Sequence, residues 1–169
     1  MKLLCNITDK DIIGDDRLSE AAPRYTARAI LIDQDGYIAV MYSVKYSLYS
    51  LPGGEIKEGE EKTEALKREL LEETGCNCEI IDELGYVYEN RAHSDFTQYS
   101  YYYIAIVSGS KGQPHMTENE RSNGTVSEWH SLDETIQLIS GPKHEVLQRK
   151  FMQRKDMAAF HELMLLLNS

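Results

Sequence analysis

Apolar and polar positions change period several times along the chain, and each change predicts an element. Residues 2–7 suit a short strand, and the polar stretch 9–23, broken by Gly14 and Pro23, reads as a connecting loop. An apolar run over 25–32, a turn at Asp33-Gln34-Asp35-Gly36 and a second run over 37–44 read together as a hairpin. Leu51-Pro52-Gly53-Gly54 interrupts regular structure. Residues 61–74 hold no glycine or proline and predict a helix, with Gly75 placed to end it. Strands are expected at about 79–88 and 96–107, then a polar loop over 108–124 and a strand over 125–130 carrying the single tryptophan, Trp129. Ser131 followed three residues on by Glu134 has capping-box spacing and starts a short helix that Gly141-Pro142 ends. A last helix, about 144–167, carries Val146, Leu147, Phe151, Met157, Phe160, Met164 and Leu167 at roughly helical spacing. Strands and helices interleaved in this way imply a mixed sheet covered by helices.

The helix over 61–74 breaks local rules in one place. Glu69, Glu72 and Glu73 sit at i, i+3 and i+4 and share one arc, with Ala65 a turn earlier and Leu66 and Leu70 beside them as the core-facing stripe. Like charges at these spacings cost about 0.2–0.5 kcal/mol per pair. Glu72 and Glu73 also lie in the last turn, where the helix dipole favours cations. A divalent cation would reverse both penalties, since hard ions take carboxylate oxygens and bridge to phosphate. Arg68, four residues from both Glu64 and Glu72, can hold one carboxylate in place. A solvated glutamate-rich face is the plainer alternative for the helix taken alone.

Bulk properties narrow the picture. The chain has 169 residues, enough for one domain with a usable core. No apolar run approaches the roughly 20 residues of a membrane span, and the start reaches charge by Asp9, which disfavours a secretory signal. Three cysteines, with Cys76 and Cys78 in a lone CxC, give neither a disulfide framework nor a zinc site, so a reducing cytoplasm is the simplest setting. The net charge of −10 disfavours nucleic acid and anionic membrane as partners. The same charge repels nucleotide phosphates, so an acidic protein acting on a polyphosphate needs cations.

Just before the helix the chain reads Gly53-Gly54-Glu55-Ile56-Lys57-Glu58-Gly59-Glu60. From Gly54 to Gly75, with Glu60, Arg68-Glu69-Leu70, Glu72-Glu73 and Thr74 between, the sequence resembles the Nudix box. Every fixed position matches. Cys76 departs mildly, a small hydrophobe where the family has a larger aliphatic residue. The resemblance extends over about residues 24–140. It implies an α/β fold, the Nudix α/β/α sandwich around a mixed β-sheet. The organisation expected is an N-terminal strand and connecting segment (1–23), the hydrolase core (24–141, box 54–75) and a C-terminal helix packed on that core (142–169).

What the resemblance implies for chemistry is hydrolysis of a nucleoside diphosphate linked to another group, with Mg²⁺ as cofactor and Mn²⁺ able to substitute. Glu69, Glu72 and Glu73 would be metal ligands, joined by the Gly53 carbonyl. Gly54 would let phosphates approach, Glu60 would support the site and Arg68 would orient a carboxylate. Glu72 or Glu73, or Glu118 or Glu120 from the later loop, would be the general base. Arg28, a charge inside an apolar strand, and Lys45 and Tyr46 before the glycine turn are candidates for substrate contact; a solvated sheet face is the alternative for Arg28. Tyr99, Tyr101 and Tyr103 alternate onto one face, to stack a base or to serve as core or as a homodimer contact. His93 and His115 are assigned nothing. ADP-ribose pyrophosphatases of the family carry a downstream proline where this chain has Asn90, and dinucleoside polyphosphate hydrolases a tyrosine where it has Ala92. A nucleoside triphosphate pyrophosphatase releasing a nucleoside monophosphate and pyrophosphate is therefore the leading expectation. The alternative is a non-catalytic nucleotide-binding or regulatory module, which degenerate boxes favour and this intact one does not.

Overall fold

β2 (Arg24–Ile32) is the strand around which the site is built, because three different elements pair with it. A computed structural model describes residues 1–169. β7 (Phe96–Ser108) runs parallel to β2 along its whole length, from Arg24↔Gln98 to Ile32↔Ile106. β5 (Gly53–Glu55) lies antiparallel on the other side, with Ala27 opposite Gly54 and Arg28 opposite Gly53. β3 (Ile38–Ser43) meets β2 only at Ile32↔Ile38. The sheet order is completed by β6 (Asn77–Arg91) against β7, β1 (Leu3–Thr8) parallel to β6, and β4 (Leu48–Ser50) and β8 (Thr125–His130) flanking β3. Parallel and antiparallel pairs coexist, so the sheet is mixed.

Helices cover both faces. α2 (Lys62–Thr74) lays Leu66 and Leu70, both without exposed surface, against Ala27, Ala29, Leu31, Tyr103 and Ala105. α4 (Leu132–Ser140) and α5 (Leu147–Leu167) close the opposite face over Ile30, Val40, Leu51, Val87 and Tyr102. Alternation along β2 and β7 sends successive side chains to these two cores. The result is an α/β/α sandwich on a mixed sheet, the expected fold.

Local signals behave as their chemistry dictates. Gly75 ends α2 in the left-handed conformation and its N–H returns to the Leu71 carbonyl. The capping box at Ser131 and Glu134 starts α4.

Several expectations need correction. The stretch 9–23 is not all loop, because α1 (Asp9–Ile13) forms at its start, and α3 (Glu118–Ser122) forms within the expected loop 108–124. Both are single turns nucleated by a threonine: the Thr8 N–H donates to Asp11, and Thr117 and Glu120 exchange bonds. The hairpin of β2 with β3 is nearly absent, since β3 zips instead to β4 and β8. α5 begins at Leu147, and its apolar stripe is rotated from the one expected. Phe151, Ala159, Phe160 and Leu163 are buried, whereas Met164 and Leu167 are 38% and 62% exposed. The rotation brings Lys155 and Asp156 inside, where each has partners (below).

Candidate active site

The glycine turn and the acidic helix meet because β5 is hydrogen-bonded to β2 while α2 packs across it. Gly53 has φ of 138°, and a side chain there would strike the Ala27 carbonyl and the Arg28 backbone. Only glycine lets the turn lie this close to the central strand. At Gly54 an added Cβ would overlap the Glu69 carboxyl group, so the absence of a side chain makes the space that Glu69 occupies.

The three acids lie along one edge of α2. Glu73 is 7% exposed, the Glu69 side chain 14% and the Glu72 side chain 36%. Glu73 Oε2 accepts the Gly53 N–H at 2.7 Å. Burial nonetheless pushes its carboxyl up to about 8, with Glu120 and Glu69 adding to the rise against Gly53 and Arg28. Burial also raises Glu69, against the pull of Arg68, with Glu72 and Glu120 contributing. Arg68 is the hub of the exposed side. Its Nε and Nη2 grip both oxygens of Glu60 at 2.9 and 3.0 Å, its Nη1 meets Glu69 at 2.7 Å, and its Nη2 reaches the Glu55 carbonyl. The Glu60 carboxyl is drawn down to about 2, chiefly by Arg68.

No three acid, histidine or cysteine side chains close on a single point; the box carboxylates are turned to Gly53 and Arg68. In type and placement they nevertheless suit a hard divalent ion. Two are carboxylates whose ionised form is disfavoured by burial and by mutual repulsion, a cost that an adjacent cation removes.

The loop after β7 is tied to the end of α2. The Gly112 N–H donates to the Gly75 carbonyl at 2.8 Å and the His115 N–H to the Glu72 carbonyl at 2.6 Å, satisfying carbonyls that a helix end leaves free. This tether brings α3 to the site. Glu120 is close enough to raise both Glu69 and Glu73, whereas Glu118 is exposed. The Oε2 of Glu120 is taken by the Thr117 N–H.

A cavity of about 230 Å³ adjoins Gly54, with Arg24, Arg28, Arg91, Lys155, Glu89 and Gln98 in its wall. Arg28 does border it, but its Nη1 donates to the Leu51 carbonyl at 2.7 Å. Tyr46 lies in a neighbouring cavity of about 320 Å³, with Lys45 over its ring; the two cavities share Gln148 and Met152 of α5. Tyr103 is core, Tyr101 sits under Lys62, and Tyr99 packs against Tyr25, Tyr86 and Tyr88. His93 bonds Asp9 and ties the β6–β7 turn to α1.

Sequence reasoning missed Glu89, Arg91, Lys155 and Asp156. Glu89 takes Lys155 at 2.6 Å and Arg91 at 2.9 Å, nearly without solvent. A signal existed: Val87, Glu89 and Arg91 alternate on β6, and residues 155 and 156 lie one helical turn from buried Ala159 and Phe160.

The site is thus an acid-edged helix beneath a glycine turn, with a cation-lined cavity beside it. Residues 22–155 match the family described as NUDIX domain, and the chain belongs to that family. The match runs into α5. A protein of Bacillus subtilis (strain 168) described as "Putative 8-oxo-dGTP diphosphatase" is 35% identical over 69 residues, 41% of this chain. That alignment spans 46% of the relative's length, so the chain aligns with about half of the curated relative it matches. Among solved structures, a NUDIX hydrolase from Nitrosomonas europaea superposes with a TM-score of 0.59 at 18% identity, covering 85% of this chain and 90% of the other. A MutT NUDIX hydrolase from Burkholderia pseudomallei gives 0.57 at 19% identity, covering 79% and 98%. These two likenesses speak to the fold.

Proposed function

We propose that this chain is a divalent-metal-dependent pyrophosphohydrolase of nucleoside triphosphates, releasing a nucleoside monophosphate and pyrophosphate. The observation that carries the reading is buried Glu73 and half-buried Glu69, packed under the Gly53-Gly54 turn with Glu72 beside them. Glu69, Glu72, Glu73 and the Gly53 carbonyl would hold Mg²⁺, with Mn²⁺ as substitute. The ion supplies positive charge against the phosphate oxygens, which this acidic surface otherwise repels.

The remaining roles fall to side chains and backbone of the site. The bare backbone at Gly54 admits the phosphate chain. Arg68, clasped by Glu60, fixes Glu69. Glu120 is the general base: its Oε1 takes the proton of the attacking water, while Thr117 holds its other oxygen. Water adds to phosphorus, the bridging P–O bond breaks, and pyrophosphate departs with that oxygen. The nucleoside end enters the cavity beside Gly54. The description of the Bacillus relative supports oxidised guanine nucleotides as the first substrates to try.

A panel of nucleoside triphosphates, their oxidised forms and X-linked diphosphates, with Mg²⁺ or Mn²⁺ and detection of phosphate and pyrophosphate, tests this reading. Pyrophosphate as the product from triphosphates is expected. No turnover on any member would leave only the non-catalytic nucleotide-binding reading. Glu120→Gln should lower kcat by about 10²–10⁴-fold with the fold intact.

A further inference from the structure

The residue that opens the glycine turn is held by charges from two distant elements. Asp156 of α5 is wholly buried, and its Oδ2 accepts the Leu51 N–H at 2.9 Å. Its Oδ1 accepts the Tyr102 hydroxyl at 2.7 Å. From the other side Arg28 of β2 donates to the Leu51 carbonyl. Both main-chain polar groups of Leu51 are thus satisfied by ionisable side chains rather than by a strand or helix ladder. The next links are backbone bonds: Ala29 donates to the Pro52 carbonyl at 3.1 Å, and Gly53 donates to Glu73.

A buried carboxylate is a costly way to satisfy one amide, because its partners must offset the lost hydration. A neutral side chain could satisfy the same N–H. What the two-sided clamp adds is rigidity at a chosen point, two residues before the carbonyl and amide of Gly53 and three before the bare Gly54. Displacements of a few tenths of an ångström matter at a metal centre, where supporting contacts orient the ligands.

We propose that Asp156 is a positioning residue for the metal-binding turn. By fixing Leu51 it sets where Pro52-Gly53-Gly54 stand relative to Glu69 and Glu73. The inference rests on the reading that these acids hold a divalent ion.

The test is Mn²⁺ binding to the full chain by titration calorimetry, read beside thermal melts in chelator. Asp156→Ala, which frees Leu51, should weaken Mn²⁺ about 10–100-fold, the range for supporting contacts at metal sites. Asp156→Asn keeps an acceptor for the Leu51 N–H and should restore most of that affinity. Tyr102→Phe removes a bond to Asp156 but leaves Leu51 clamped; it should melt lower and bind Mn²⁺ as wild type does. If Asp156→Ala does not fold, Asp156→Glu, which displaces the acceptor by one methylene, carries the same expected loss. Wild-type affinity in Asp156→Ala or Asp156→Glu would overturn the proposal. So would affinity falling in step with melting temperature in all variants, the mark of a merely structural role. Should the wild type itself bind no Mn²⁺, with or without nucleotide, the metal-dependent reading fails first and takes this inference with it.

Discussion

Glu73 and Gly54 show how single residues carry the site. The Glu73 carboxyl stands at about 8 in the folded chain against an ordinary 4.5. Below about pH 4.5 folded and unfolded chains both keep the proton, and burial costs nothing. Between 4.5 and 8 the unfolded chain gives it up while the folded chain holds it, so stability falls as pH rises, by on the order of a few kcal/mol once pH exceeds 8. Glu73→Gln should therefore melt higher than wild type in chelator, by a margin that grows from pH 5 to 8.5, and lose turnover by orders of magnitude with Mg²⁺. A pH-independent margin in melting scans would contradict this account. Glu60 acts in the opposite sense: held low by Arg68, it contributes stability above about pH 4.5 that disappears as pH falls toward 2. Gly54→Ala places a methyl where the Glu69 carboxyl lies. It should displace Glu69 and lower metal affinity in calorimetry far more than it lowers the melting temperature.

At the scale of elements, legibility followed how local each determinant is. The box helix was readable because a glycine-free run ends at Gly75, and α4 because Ser131 and Glu134 announce its start. Removing that signal with Ser131→Ala should cost about 1 kcal/mol, visible in denaturant melts as a lower midpoint with unchanged slope. α1 and α3 carried the same kind of threonine signal at Thr8 and Thr117, but neither is followed by an apolar stripe long enough to register as periodic. The failed hairpin has a different cause: β8, the main partner of β3, lies about eighty residues downstream, and pairing at that distance leaves no trace in the turn that was read. The stripe on α5 was misplaced because hydrophobicity alone ranks Met164 above Asp156, whereas the fold buries Asp156 by giving it Leu51 and Tyr102. In the site, the box acids and Arg68 were legible from spacing. The clamp on Leu51 was not, since its members come from β2, β7 and α5 and share no spacing.

The whole molecule adds constraints that no element holds alone. Two cores, one on each face, share β2 and β7, the strand pair beside which the glycine turn lies. β1 is the outermost strand and lies parallel along β6 from Leu3↔Tyr86 to Thr8↔Asn90. Its cover leaves β6 with partners on both sides. Deleting residues 1–8 would strip that cover and present the main-chain donors and acceptors of residues 86–90 to solvent, a template for another chain. The shortened protein should elute from a sizing column as concentration-dependent oligomers, whereas the full chain should not shift with concentration in this way. Although remote from the glycine turn in sequence, the first strand thus decides which main chain, its own or that of β6, forms the outer border of the sheet that presents the turn.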